Sequence, residues 1–492
     1  MNISRRKFMS EAGLFAGAGL FLPSLLAAMK YDKKGVLDLF RLRAADTDAR
    51  VKAGIETNRK GSIVFDFVDA NGKPCENVHV RLRQKTHDFR YGADLFMLDE
   101  MPSAELNAAY KARFAEVFNL ATLPFYWTGL EPEQGKTRYD AHSPKLYRRP
   151  PPDLCVDWCE RNGIEPKAHI LNYASVTPEW AIGDVSREKR LLVKRFRELS
   201  VRYADRIKMW EVTNETLWGA NFTNPTTANL YRQEDYVEWS FKTAEKFFPG
   251  NELIINEAHC RVWEGEWYQR ERSPYYMQIE RAMQKGARID AVGLQFHMFH
   301  EVGNVVKATR DFYDPQRLFD VLETYAEFNK PLQITEITIP AYSTDPGDEA
   351  VQAEILRELY RIWFAARGME AIIYWNLPDG YAAYAKPGDF SGGENAYYGG
   401  LCRFDMSPKP AYQVVKDLFS KEWRTNVDVD AAGRHVFRGF YGTYDAEFTY
   451  KGQIVKREIH LGRDLVPNIK IEFPELPGGR IGYVGSGLRL CS

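Results

Sequence analysis

Cysteine is sparse in this chain. The six thiols, at 75, 155, 159, 260, 402 and 491, are scattered, with no Cys-x-x-Cys pair and no nearby histidine completing a ligand set with Cys155 and Cys159. That spacing offers no zinc ligand set and no disulfide framework. Cys155 and Cys159 share a helix face at i, i+4, so buried free thiols are the expectation. A charge excess is missing as well: 66 Lys and Arg face 67 Asp and Glu, for a net charge of −1. Nothing in that balance points to nucleic acid or to an anionic membrane surface. The apolar run from Gly13 to Ala28 is too short and too weakly hydrophobic to predict a stable membrane span.

What is present starts at that same end. Ser4-Arg5-Arg6-Lys7-Phe8 ahead of the apolar run resembles a twin-arginine export signal over residues 1–28, which predicts a periplasmic or extracellular protein. Leu26-Ala27-Ala28 lacks a small residue at the outer cleavage position, so retention of the signal as an anchor stays open. With 492 residues, 45% of them hydrophobic, the chain can bury a large core and exceeds one minimal domain.

Composition and periodicity divide the chain into segments. Residues 29–60 read as a charged, helical linker. Over 61–88 two alternating runs, Ser62 to Val68 and Val78 to Arg83, flank an Asn71-Gly72 turn and predict a small β appendage. Buried strands alternating with amphipathic helices then fill 89–423. The strands are expected at Phe89–Phe96, Val117–Thr122, Pro166–Leu171, Ile207–Thr213, Glu252–Asn256, Asp290–Phe296, Leu332–Thr335 and Ala371–Asn376. Eight such strands, apolar on both faces and none marked as an edge, predict an α/β fold closed into a (β/α)8 TIM barrel. Residues 424–475 carry short strands between Gly-containing turns and read as a small C-terminal β-sandwich, and 476–492 as a Gly-rich tail without periodicity.

Two of the barrel strands end on a carboxylate: Lys208-Met209-Trp210-Glu211-Val212-Thr213-Asn214-Glu215 and Pro331-Leu332-Gln333-Ile334-Thr335-Glu336. Side chains at the C-terminal ends of barrel strands converge on one face, so Glu215 and Glu336 can meet across a pocket. Two facing carboxylates suit glycosidic bond cleavage, in which one group holds a proton for the departing oxygen while the other stays ionised. The aromatic content of 14% suits stacking against sugar rings.

Trp210-Glu211-Val212-Thr213-Asn214-Glu215, Val292-Gly293-Leu294-Gln295-Phe296-His297, Ile334-Thr335-Glu336 and Pro408-Lys409-Pro410-Ala411-Tyr412 together resemble the signatures of glycoside hydrolase family 10, the retaining endo-β-1,4-xylanases. The resemblance runs in order from Phe89 to Lys416. Arg438-Gly439-Phe440-Tyr441-Gly442 is similar to a motif that some members carry behind the barrel. The resemblance implies that Glu215 is the general acid/base and Glu336 the nucleophile, with His169, Asn214, Gln295, His297 and Trp375 binding or bracing the sugar; Tyr173 and Trp127, in stretches that depart from the family pattern, are further candidate sugar contacts. It implies a polysaccharide or oligosaccharide substrate, xylan first, and requires neither a metal nor an organic cofactor. Two other readings remain: a glycan-binding barrel without turnover, and a related exo-glycosidase or transglycosylase.

Several positions depart from the family pattern. Thr122-Leu123-Pro124-Phe125-Tyr126-Trp127-Thr128-Gly129 stands where the family has Glu-Asn and a following Lys, and Tyr173-Ala174-Ser175-Val176 replaces Trp-His-Ser-Gln. Ala258 takes the place of a tyrosine and Thr338 that of an aspartate. These changes surround the neighbouring sugar sites, so the expectation is retained chemistry with altered recognition, Phe125, Tyr126 and Trp127 offering stacking in place of hydrogen bonds.

Overall fold

The computed structural model describes residues 35–217, 228–463 and 467–474. The export signal, the C-terminal tail and Cys491 lie outside them. The described residues form two compact units, one drawn from 35–49 and 91–415, the other from 50–90 and 416–474.

In the first unit eight parallel strands close a barrel. In chain order they are β3 (Arg90–Asp94), β4 (Leu120–Pro124), β5 (Glu165–His169), β6 (Met209–Asn214), β7 (Glu252–Glu257), β8 (Ala291–His297), β9 (Leu332–Thr338) and β10 (Met369–Tyr374), and β10 pairs back beside β3. The second strand starts three residues later than the sequence pattern suggests, because the preceding helix α1 (Ala104–Val117) extends to Val117 before Asn119 turns the chain. Helices α2 (Pro152–Asn162), α3 (Val185–Tyr203), α4 (Tyr236–Phe247), α5 (Pro274–Gln284), α6 (Pro315–Ala326) and α7 (Pro346–Ala365) fill the crossovers.

Their starts follow local chemistry. Ser103, Asp184, Asp314 and Asp345 accept a backbone N–H of the first turn, and α2, α5, α6 and α7 each open with proline, which lacks the N–H that a first turn leaves unused. Deep in the barrel, Leu120, Met209, Ile254, Ala291, Ala371 and Ile373 form an apolar floor. Gln333 crosses the floor end of the barrel, donating to Glu252 Oε1 at 2.9 Å and Glu370 Oε1 at 2.8 Å, while side chains at the opposite, C-terminal rim are the ones placed for chemistry.

The second unit is a pair of sheets. One has the order β12 (Arg434–Phe440), β1 (Lys60–Asp69), β15 (Asn468–Phe473); the other has β11 (Asn426–Ala431), β2 (Val78–Gln84), β13 (Gly442–Tyr450), β14 (Gln453–Leu461). The strands from the two flanking β regions therefore share both sheets, with β1 and β2 in interior positions. Alternation sets the core: Ile63, Phe65 and Phe67 of β1 meet Val78, Val80 and Leu82 of β2, with Phe437, Phe448, Ile471 and Phe473. On the outer face of the second sheet Arg81 pairs with Asp428 at 3.3 Å and Glu447 at 3.2 Å.

The five described cysteines are free and buried. Among the described residues no helix is long and apolar enough to cross a membrane.

Candidate active site

Glu215 and Glu336 share a donor. The Gln295 side-chain amide donates to Glu336 Oε1 at 3.0 Å and to Glu215 Oε1 at 3.2 Å. Two bonds from one nitrogen keep those oxygens within about 6 Å of each other. Glu336 is buried and receives two further N–H groups, Asn256 Nδ2 on Oε1 at 2.8 Å and His297 Nε2 on Oε2 at 3.1 Å. Glu215 is half-buried, and the Tyr173 hydroxyl donates to its Oε2 at 2.5 Å.

The strand ends hold these groups by means that simple alternation does not predict. Register shifts fall between Glu211 and Thr213 on β6 and opposite Leu294 and Gln295 on β9, so that Gln295 pairs with Glu336. Such bulges re-aim side chains at a barrel rim. Asn214 Oδ1 then accepts from Asn256 Nδ2 at 2.8 Å and from Gln295 Nε2 at 3.1 Å. Room for Asn256 comes from Gly293, where a Cβ would sit 2.6 Å from Asn256 Oδ1 and 2.8 Å from Thr335 Cγ2.

Glu215 itself adopts a left-handed backbone, φ 49°. Such a conformation in a residue with a Cβ persists when its surroundings over-determine it. Here Glu215 N donates to Asn256 O at 3.1 Å, while the Glu257 carboxylate takes Thr216 Oγ1 at 2.9 Å and Leu217 N at 3.0 Å.

Beneath the pair lies a buried ion cluster that the sequence reading did not single out. Lys167 Nζ lies 2.5 Å from Glu211 Oε1, with Lys167 at 0% and Glu211 at 1% side-chain exposure. The other Glu211 oxygen takes His169 Nδ1. Burial opposes the charged histidine, but the Glu211 and Glu336 carboxylates outweigh it and raise the His169 pKa. Burial also disfavours the Glu211 carboxylate, yet Lys167 and His169 hold its pKa well below the usual range. His169, Glu211 and Glu336 offer ligand atoms within 4.8 Å of one another. With an ammonium already on Glu211, the group is an ion-pair cluster rather than an open cation site.

His297 contrasts with His169. Its Nδ1 faces Thr338 Oγ1 at 2.9 Å, and burial lowers its pKa to about 4. The ring is therefore neutral at ordinary pH, with Nδ1 accepting from the hydroxyl and Nε2–H donating to Glu336. Thr338 thus gives the His297 Nδ1 a neutral partner at the position where the family pattern has aspartate, while the Glu336 carboxylate selects the Nε2–H tautomer. Burial raises the Glu336 pKa well above the ordinary carboxylate range; Glu211 and Glu215 act in the same direction, His169 and Lys167 against it.

An aromatic wall completes one side. Trp375 packs edge-to-face on Phe96 at 5.2 Å, His169 at 5.6 Å and His297 at 5.7 Å. Tyr126 joins it, its hydroxyl 3.0 Å from His169 Nε2. Trp127 is held elsewhere: its Nε1–H donates to Glu131 Oε2 at 3.1 Å and its ring meets Trp180 edge-to-face at 5.5 Å. The geometry therefore gathers Glu215, Glu336, His169, Asn214, Gln295, His297, Trp375 and Tyr173, and leaves Trp127 out of that set. Asn256, Glu211 and Lys167 join it. The signal for Lys167 was its place two residues before His169 on the same strand face; Glu211 lies before the register shift on β6 that breaks such alternation toward Asn214 and Glu215.

Residues 104–418 match the model of glycosyl hydrolase family 10. Among curated relatives, the anti-sigma-I factor RsgI6 of Acetivibrio thermocellus is 23% identical over 402 residues, covering 80% of this chain and 46% of that protein. Endo-1,4-beta-xylanase 2 of Arabidopsis thaliana is 22% identical over 419 residues, covering 82% of this chain and 34% of that protein. The chain thus spans less than half the length of these two relatives. Endo-1,4-beta-xylanase B of Thermotoga neapolitana is 23% identical over 303 residues, covering 60% and 78%. Native xylanase 10B from Thermotoga maritima superposes with a TM-score of 0.54 at 20% identity, covering 68% of this chain and 96% of that one, which shows a shared fold.

Proposed function

The chain belongs to glycosyl hydrolase family 10, and from that premise we propose that it cleaves a β-linked polysaccharide of the xylan type with retention of configuration. Glu336 attacks the anomeric carbon while Glu215 gives its proton to the glycosidic oxygen, and the leaving sugar departs as an alcohol. Water then attacks the glycosyl ester, Glu215 takes the water's proton, and Glu336 is released as carboxylate. The observation that carries this reading is the Gln295 amide bonded to both carboxylates. Retention needs carboxyl groups about 5–5.5 Å apart, inversion about 6.5–9.5 Å, and a shared donor favours the shorter class.

The surroundings fit those roles. Three N–H donors, from Asn256, Gln295 and His297, face the Glu336 oxygens and favour its ionised form. With Asn214 Oδ1 occupied by Asn256 and Gln295, its amide N–H2 is the end left to donate to the 2-hydroxyl of the reacting sugar, a bond that strengthens in the transition state. Tyr173 holds the Glu215 carboxyl in place.

The test is Glu215→Ala on two substrates. On xylan, whose leaving group is a poorly acidic sugar alcohol, kcat is expected to fall about 10²–10⁴-fold. On an aryl β-xyloside with an acidic phenol the first step needs no proton donor, so a burst of phenol followed by slow turnover is expected. Equal losses on both would remove Glu215 from the acid role. Tight binding of xylan without product from the parent would favour a glycan-binding barrel instead.

A pH profile provides a second check. The nucleophile must be ionised, so with its pKa raised by burial activity is present above that pKa and is lost as pH falls through it. The acid limb of kcat/KM on a neutral aryl glycoside is therefore expected well above the ordinary glutamate value of about 4.3. A limb at the ordinary value would contradict the environment assigned to Glu336.

A further inference from the structure

The stretch that departs from the family pattern, Thr122 to Gly129, packs against an arginine. Arg149 lies in the segment between β4 and α2. Its guanidinium carbon is 3.9 Å from the centre of the Tyr126 ring and 5.7 Å from that of Phe96. Its stem runs over Gly129, where a Cβ would come within 3.1 Å of Arg149 Cγ and Cδ. A neutral tyrosine face and a missing side chain in this stretch thus make the space for one cation.

Arg149 differs from its neighbour in how its charge is met. Arg148 is buried and satisfied: its Nη2 lies 3.2 Å from Asp94 Oδ2, and its Nη1 donates to Asn376 Oδ1 at 2.7 Å and to Tyr381 O at 2.6 Å. Among the described residues the Arg149 guanidinium makes one hydrogen bond, from Nη1 to the Arg148 carbonyl at 2.7 Å, and forms no ion pair. Burial lowers its pKa to about 10, so it stays charged at neutral pH. A partly desolvated cation without a counter-charge is costly unless a ligand supplies one.

The cation also adjoins the reaction centre. The Tyr126 hydroxyl feels the charges of both Arg149 and Glu336 and lies 3.0 Å from His169 Nε2. The Tyr384 hydroxyl is within the fields of Glu215 and Arg149.

We propose that Arg149 is a specificity residue for a carboxylate on the sugar chain, and that the substrate is a β-linked polysaccharide bearing uronosyl units. The inference rests on the proposed glycosidase reading for where the reacting sugar lies. A guanidinium lying on an aromatic face keeps its in-plane N–H groups for an incoming anion, and its planar fork matches a carboxylate in two-point contact. Neutral hydroxyls can accept from a guanidinium but leave its charge unmet; an acidic substituent beside the reacting sugar supplies the counter-charge.

The experiment compares glucuronosyl-substituted xylo-oligosaccharides with the same oligosaccharides after reduction of the carboxyl to a neutral hydroxymethyl group, using the full chain. The parent is expected to favour the acidic form by about ten- to a hundredfold in kcat/KM, mostly through KM. Added salt is expected to shrink that ratio. In Arg149→Gln the ratio collapses toward one, whereas Arg149→Lys keeps part of it. A parent ratio of one, or an Arg149→Gln ratio equal to the parent's, overturns the proposal. Binding of the same pair to Glu336→Gln, read by calorimetry, gives the ratio independently of turnover. A parent that hydrolyses neither substrate defeats the glycosidase reading, and the binding ratio still decides the role of Arg149.

Discussion

Replacing Glu336 with alanine is expected to lower kcat by about 10⁴-fold or more on every substrate, whatever its leaving group. The prediction follows from what the carboxylate does in the proposed double displacement: it forms the bond to carbon, so no property of the departing group can compensate for its loss. This separates Glu336 from Glu215, whose loss an acidic phenol can bypass. The truncation also leaves a cavity lined by donors, since Asn256 Nδ2, Gln295 Nε2 and His297 Nε2 all lose their acceptor. A small anion such as azide fits such a space. Added azide is therefore expected to restore turnover of an activated aryl glycoside and to give a glycosyl azide of inverted configuration, readable by NMR. Activity within tenfold of the parent, without azide, would show that another group is the nucleophile.

Parts of this arrangement were legible in the sequence and parts were not, for physical reasons. An apolar run interrupted by a carboxylate is a local signal, which is why Glu215 after β6 and Glu336 on β9 could be read directly, although β9 continues past the expected end at Thr335 through Glu336 to Thr338. Alternation likewise exposed the inward faces of β1 and β2 in the second unit. Pairing is not local. That β1 lies between β12 and β15 depends on partners roughly 370–400 residues away, and nothing in Ser62 to Val68 specifies them.

The bulges on β6 and β9 mark the same limit within the barrel. Strict alternation would put Thr213 and Glu215 on the inward face with Glu211, yet the register shift brings Asn214 to Asn256 instead. A shift of one residue exchanges the two faces of a strand, and here it is confined to the rim, so the apolar floor below is undisturbed. Thr338 shows the opposite case, in which a departure visible in the sequence acquires meaning only from geometry. Its hydroxyl gives His297 Nδ1 a partner without adding charge, leaving His169 as the histidine whose pKa is raised.

The second large effect is expected beneath the pair, at Glu211→Leu, which should destabilise the protein by about 3–5 kcal/mol. Its partner Lys167 is 0% exposed, with Nζ 2.5 Å from Glu211 Oε1. Removing the carboxylate strands an ammonium in the barrel and takes away the acceptor of His169 Nδ1. The sign with pH follows from Glu211's depressed pKa. Its contribution is present above the unfolded carboxylate value and is lost as pH falls through the folded one, so the gap between parent and variant should be widest near neutrality and close in acid. Adding Lys167→Met should recover a large share of the loss, because an apolar pair of similar volume avoids burying either charge. Denaturant midpoints of the four proteins in this cycle, followed by tryptophan fluorescence, measure both effects. If Glu211→Leu alone were as stable as the parent at neutral pH, the cluster would not be the ion pair on which His169, and through it the field around Glu336, depends.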